Sequence, residues 1–356
     1  MSITPRSGEK AIFQGDLMSE SLKSLVIPVF IPHRGCPHQC LFCNQNSITG
    51  QTAARGDIGG EIQRTITTWL SRSRRRPEAQ VAFYGGSFTC LDREEQEQML
   101  TAVQPFIRRG EIQRIRLSTR PDCIEADSCI FLRGMGVGIV ELGVQSLDDR
   151  VLCQSRRGHA SEDSRRAVAL LKGAGIEVGI QLMPGLPGEG SRSFFRGVLE
   201  VVELAPAFVR LYPALVVNHS GLAEMYRKGD YTPLSLNRAI ALTRRAREIF
   251  VRAGIRVVRI GLQPSASLEK ELLAGPYHPA FGELVCARDW FRRIRGLLAA
   301  CPADRLTVRI AERDLSAFLG PKRMNIQRLA HLGLADRLQI ETDKAMQRGT
   351  FTYVVG

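Results

Sequence analysis

LVIPVFI at residues 25–31 runs directly into PHRGCPHQCLFCNQ at 32–45. Val, Ile and Phe dominate the first stretch, a composition that favours an extended strand, and the Pro-, His- and Gly-containing run that follows ends it. The second stretch places Cys36, Cys40 and Cys43 in one loop, spaced Cys-x3-Cys-x2-Cys. Six further runs read as strands, at 80–84, 113–118, 138–144, 177–183, 208–212 and 255–260. Between them, segments of helical period fall near 58–72, 93–108, 126–134, 161–173, 191–204 and 236–253. This alternation predicts an α/β fold of repeated βα units around a parallel sheet. In parallel barrels the loops at the carboxyl ends of the strands converge and carry the chemistry. The cysteines follow the first strand, Gly85-Gly86-Ser87 the second, Ser118-Thr119-Arg120 the third, Val144-Gln145-Ser146 the fourth, and Gln181 through Gly185 the fifth. One rim should therefore hold all five.

The 356 residues, 44% hydrophobic and 24% charged, can bury a sizeable core and exclude a disordered chain. No stretch offers the roughly 18 apolar residues of a membrane span, and MSITPRSGEK lacks the apolar run of a signal peptide, so a cytoplasmic location with no membrane partner is expected. In that compartment nine cysteines are not expected to form a disulfide framework. Cys90, Cys123, Cys129, Cys153, Cys286 and Cys301 are scattered, and most read as buried small hydrophobes. A net charge of +13 points to a polyanionic partner such as RNA. The local block Arg72, Arg74, Arg75 and Arg76 before Pro77 reads equally as a solvated helix end or a phosphate contact.

Three thiolates in one loop suit a cubane iron–sulfur cluster with one iron left without a protein ligand. The competing reading is zinc, which normally takes four ligands; there is no second cysteine pair, although His33 or His38 would complete a tetrahedron.

The spacing of the cysteines and the segments that follow them resemble the radical S-adenosylmethionine (SAM) superfamily, and within it the radical SAM domain of the Elongator catalytic subunit. The carriers are FYGGSFT at 83–89, STRPD at 118–122, ELGVQS at 141–146, RRGH at 156–159, QLMPGLPG at 181–188, RLYPALVV at 210–217 and RIGLQP at 259–264. The resemblance implies a partial (βα)6 TIM-like barrel over 24–265. It also implies a 4Fe-4S cluster on Cys36, Cys40 and Cys43 and reductive cleavage of SAM to a 5′-deoxyadenosyl radical. Gly85, Gly86, Ser87, Ser118, Gln145, Arg157 and Gln181 would be the SAM-binding residues, with Arg156 competing for the role of Arg157. A tRNA or other RNA substrate, and a reductant such as flavodoxin or ferredoxin, are the implied partners. Two positions depart from the Elongator pattern: Ser118 stands where it has glutamate and Gln181 where it has histidine. The barrel is also similar to oxygen-independent coproporphyrinogen III oxidase, which implies the alternative of a small-molecule oxidoreductase.

Flanking the barrel, 1–23 reads as a polar N-terminal segment, 266–300 as a linker with a helix near 287–299, and 301–356 as a small α+β domain. Strand 305–310, helix 312–319, the loop Gly320-Pro321-Lys322-Arg323, helix 324–332 and strands 336–341 and 350–355 follow the order of a KH module. Lys322, Arg323 and Asn325 are its candidate RNA contacts, against an ordinary helix–turn–helix with a basic surface. His278 in GPYHP reads first as a turn leading into a helix and second as a general acid.

Overall fold

The computed structural model of the chain describes residues 10–12, 24–31, 34–36, 40–44, 57–72, 78–301 and 304–356. His33, His38, the arginines at 74–76 and most of the N-terminal segment lie outside them. The strands in chain order are β1 (Lys10–Ile12), β2 (Leu25–Phe30), β3 (Ala79–Tyr84), β4 (Arg114–Thr119), β5 (Val137–Gln145), β6 (Glu177–Leu182), β7 (Phe208–Leu211), β8 (Val216–Val217), β9 (Arg256–Ile260), β10 (Leu272–Ala274), β11 (Leu306–Ala311), β12 (Leu338–Asp343) and β13 (Phe351–Val355). The chain divides into two compact units, Glu20–Ala239 with Ile255–Tyr277, and Met1–Ser19 with Ile240–Gly254 and His278–Gly356.

The first unit carries a seven-stranded sheet ordered β2-β3-β4-β5-β6-β7-β9, every neighbouring pair parallel. This is the α/β partial barrel anticipated from the alternating pattern, with seven strands where the barrel class has six. The inner strands β3 and β5 are buried on both faces, which is why β3 reads as a nearly continuous apolar run rather than an alternating one, whereas the edge strands β2 and β9 are partly exposed. Intervening helices bury one stripe each. Helix Arg93–Arg108 turns Gln96, Met99, Leu100, Val103 and Phe106 inward, and helix Ser161–Gly173 turns Ser164, Ala167, Val168 and Leu171 inward. Both follow the 3.6-residue period. Helices Asp149–Gln154 and Gly221–Lys228, with the small antiparallel pair β8–β10, were not foreseen. At 6 and 8 residues, these helices are too short for their periodicity to be distinguished from a loop.

The second unit holds a four-stranded sheet ordered β1-β13-β11-β12, in which β11 runs parallel to β12 and antiparallel to β13. Trp290, Ile294 and Leu298 of helix Phe281–Ala300 pack with Leu306, Val308 and Ile310 of β11, and with Phe318, Leu329 and Phe351. The polar N-terminal segment contributes β1, which runs antiparallel to β13. One expectation is corrected here: the helix expected near 287–299 spans Phe281–Ala300, so it begins within the stretch read as linker. His278 is half-buried and its Nδ1 accepts from the Ala280 N–H at 3.0 Å, which closes the turn before that helix.

A further correction concerns Cys90 and Cys123. They form a disulfide with a Cα separation of 5.3 Å, joining the loop after β3 to the loop after β4. Their separation of 33 residues concealed the pairing, which depends on two adjacent parallel strands ending side by side.

Candidate active site

The carboxyl ends of the barrel strands open into a cavity of about 1530 Å³ within the first unit. Cys36, Cys40 and Cys43 line it, as do Gly85, Gly86, Ser87, Ser118, Gln145, Arg157 and Gln181. Every cluster and SAM candidate read from the sequence thus borders one cavity.

The cysteine loop is held against the glycine loop by backbone contacts. Ser87 N–H donates to Arg34 O at 2.9 Å, and a Cβ on Gly86 would lie 2.5 Å from both the Arg34 and Ile31 carbonyl oxygens. Gly85 has φ +89°, a conformation that side chains disfavour. Ser87 is buried, with its Oγ 3.5 Å from Cys36 Sγ. Gly86→Ala should therefore displace the cysteine loop, because backbone carbonyls cannot swing aside as a side-chain tip can. We expect reduced iron content after anaerobic reconstitution with the barrel's circular dichroism retained; normal iron loading would refute this.

Cys40 is buried and faces two guanidinium groups. Arg157 Nη1 lies 3.4 Å and Arg120 Nη1 3.9 Å from its sulfur. Arg120 is itself fixed by Asp122 at 2.9 Å and by the Arg157 carbonyl at 2.6 Å, and Arg157 Nη2 donates to Gly143 O at 2.5 Å. This separates the two candidates in RRGH: Arg157 is buried, whereas Arg156 is exposed at the cavity edge. Sequence reading missed Arg120, which was visible only as part of a motif. Its importance depends on a fold that brings position 120 to position 40.

Gln181 Nε2 donates to Gln145 Oε1 at 3.2 Å. Gln145 sits at φ 70°, an uncommon conformation for a residue other than glycine, at the irregularity where β5 pairs with β6. Ser118 is half-buried and borders the same cavity. Also lining it, Glu141 is buried and ion-paired to both Arg116 and Arg210, the latter at 2.7 Å.

Among the described residues, no group of three His, Cys, Asp or Glu side chains is gathered as a closed metal site. The donor set is compatible with an iron–sulfur cluster, and the histidines that would complete a zinc site lie outside the described residues. Three cysteines line one cavity, with guanidinium donors directed at the buried sulfur, and the loop lies against a glycine cradle that a Cβ would fill.

A smaller cavity in the same unit, about 460 Å³, is lined by Glu189, Tyr231 and the Gly185–Gly188 turn. The Glu189 carboxylate accepts from the Gly185 N–H at 2.8 Å and the Ser146 hydroxyl at 3.3 Å. Burial nevertheless pushes its pKa up to about 8. An acid raised this way binds its proton in the folded state after the unfolded chain has released it. Stability should therefore fall as pH rises from about 4.5 towards about 8. Glu189→Gln should flatten that decline in denaturant titrations; an unaltered slope would refute the assignment.

The Radical SAM superfamily model matches residues 30–194, and the Radical_SAM C-terminal domain model matches residues 206–291. The chain belongs to the radical SAM superfamily. It is 35% identical over 299 residues to a tRNA uridine(34) acetyltransferase of Methanocaldococcus jannaschii, covering 73% of this chain and 54% of that protein. The chain therefore spans about half the length of that relative. In fold it is similar to an archaeal Elp3 of Methanocaldococcus infernus, with a TM-score of 0.61, 23% identity and coverage of 77% of this chain and 63% of the other. It is also similar to coproporphyrinogen III oxidase of Escherichia coli, with a TM-score of 0.50, 19% identity and coverage of 75% and 58%.

In the second unit, the structure divides the three candidate RNA contacts. Lys322 and Arg323 are exposed, at φ 51° and 59° in the turn between two helices. Asn325 is corrected: it is 2% exposed, and its side-chain amide donates to Ala287 O and Phe318 O, each at 2.8 Å. An amide so engaged fastens the turn to the core and does not face solvent.

Proposed function

We propose that the chain is a cytoplasmic radical SAM enzyme that cleaves SAM reductively and uses the product radical to modify RNA, with tRNA as the favoured substrate. One observation carries this reading: the three cysteines and the seven candidate SAM residues, drawn from loops far apart in sequence, line a single cavity. A 4Fe-4S cluster held by Cys36, Cys40 and Cys43 would supply the electron for SAM cleavage, drawn in turn from a flavodoxin or ferredoxin.

The chain's own residues bind and orient. Gly86 lets its loop pack against the Arg34 and Ile31 backbone, Gly85 takes a positive φ in the loop where the amino acid end of SAM would lie, and Ser87 adds a hydroxyl beside Cys36. Arg157 engages Cys40 and Gly143 through Nη1 and Nη2, which fixes its guanidinium beside the cysteine loop, where it would favour a carboxylate. The paired amides of Gln145 and Gln181 offer donors and acceptors suited to hydroxyls or a base.

For the RNA substrate, support comes from the tRNA-modifying relative, from the +13 charge and from the crowding of arginines in the second unit. There, burial and then the neighbouring Arg328, Arg244 and Arg292 lower the Arg288 pKa, with Arg244 itself paired to Glu248 and Asp289. Lys322→Ala/Arg323→Ala should lower tRNA affinity and flatten its salt dependence, by about 0.9 in slope for each neutralised phosphate that the variant releases, taking the duplex limit. An unchanged slope would remove that turn from the interface.

Anaerobic reconstitution, reduction with dithionite and chromatography for 5′-deoxyadenosine, with and without tRNA, test the whole reading. Product formation that tRNA enhances is expected. Failure to form it under every condition would refute catalysis, and indifference to tRNA would refute the substrate.

A further inference from the structure

We propose that the interior of the barrel cavity is a binding site for a small anion, a substrate carboxylate or phosphate, held by Arg116 and Arg210. It deepens and rests on the reading above by naming the chemical class of a ligand in the same cavity, held by arginines other than the two that face Cys40.

Arg116 projects from β4, Glu141 from β5 and Arg210 from β7, and all three line the cavity. Glu141 faces Arg116 with one oxygen and Arg210 with the other. A single carboxylate offsets a single guanidinium, so the triad keeps one positive charge. The side chains are 10%, 6% and 21% exposed for Arg116, Glu141 and Arg210 respectively, so water screens little of that charge. An uncompensated buried charge is costly unless something pairs with it.

The nearby groups do not supply the missing negative charge. Arg210 donates to the Tyr212 hydroxyl at 2.9 Å and the Tyr84 hydroxyl at 3.5 Å. Burial, reinforced by the Glu141 carboxylate, raises the Tyr84 pKa and keeps that phenol neutral. Arg259, on the neighbouring strand β9, also lines the cavity, but bonds to neutral groups, the Gly261 carbonyl at 3.1 Å and the Gln263 amide oxygen at 2.6 Å. Arg116 and Arg210 thus share one carboxylate and Arg259 has none; the other carboxylate lining the cavity, Glu224, is exposed on helix Gly221–Lys228. Arg120 and Arg157 belong to the Cys40 end and are committed there.

Arg116 Nη2 is buried without a hydrogen-bond partner. Its guanidinium stacks 4.6 Å above the Phe208 ring, which fixes the plane of the fork. A planar, fixed fork with a free donor suits the paired oxygens of carboxylate or phosphate. The volume also allows a second ligand: about 1530 Å³ exceeds the roughly 300–1,000 Å³ of a pocket for one small molecule. The burial of Arg116 favours a small molecule or a terminal group over a polymer backbone, which would have to thread into the barrel.

Calorimetric titration of the full chain with inorganic phosphate and, separately, malonate tests the site without SAM, reductant or RNA. Its result is therefore independent of whether the radical reaction occurs. Saturable binding is expected, weakened at least about tenfold in Arg116→Gln and partly restored in Arg116→Lys, which keeps the charge but loses the fork. Arg259→Gln, outside the Glu141 triad, should weaken binding even if Arg116→Gln fails to fold. The anion bound more tightly identifies the group as phosphate or carboxylate. No saturable binding of either, or equal affinity in the native chain and in the folded variants, overturns the proposal. A short oligoribonucleotide that displaces phosphate from the native chain but binds Arg116→Gln unchanged would equally overturn it, placing the anion site on the surface.

Discussion

Cys40→Ala is expected to abolish iron–sulfur reconstitution and 5′-deoxyadenosine formation together. Of the three loop cysteines, Cys40 alone is buried, and Arg120 and Arg157 both direct donors at its sulfur. Under the proposed function its removal takes away a cluster ligand, and it leaves one donor of each guanidinium without its acceptor. The same substitution at Cys153, which is exposed and outside the cavity, should change neither measurement. Iron and sulfide analysis before the activity assay separates loss of the cluster from loss of folding. Full iron content and product formation in Cys40→Ala would eliminate the cysteine loop as the cluster site.

Glu141→Ala should produce the largest loss of stability in the barrel. It leaves Arg116 and Arg210 buried with no intervening carboxylate. Breaking a buried ion pair by removing one partner costs roughly 3–5 kcal/mol, because the surviving charge remains desolvated. For a unit of this size that is roughly a 10 °C drop in melting temperature. Added phosphate should recover part of the loss by occupying the space between the two arginines. A change of less than about 1 kcal/mol in denaturant unfolding would mean that the triad is well solvated, contrary to its burial.

The disulfide between Cys90 and Cys123 and the position of Asn325 show where local reading fails. Cys90 and Cys123 are unremarkable as isolated residues; they meet because the ends of β3 and β4 are adjacent. Asn325 looks like a surface residue from its place after a basic turn, but the helix phase carries it inward to Ala287 and Phe318. Likewise, Arg157 and Arg156 could be separated by neither composition nor spacing. Burial decided between them.

The order of βα units, the rim assignment of the five loops and the superfamily were legible in the sequence, because strand and helix periods and turn residues are local properties of the chain. Which charges lie together was not. The meeting of Arg120 with Cys40, and of Arg116 and Arg210 with Glu141, joins residues dozens of positions apart, and only the curled arrangement of parallel strands determines their neighbours and their exposure to water. Electrostatic energy depends on distance and dielectric, and both are tertiary quantities.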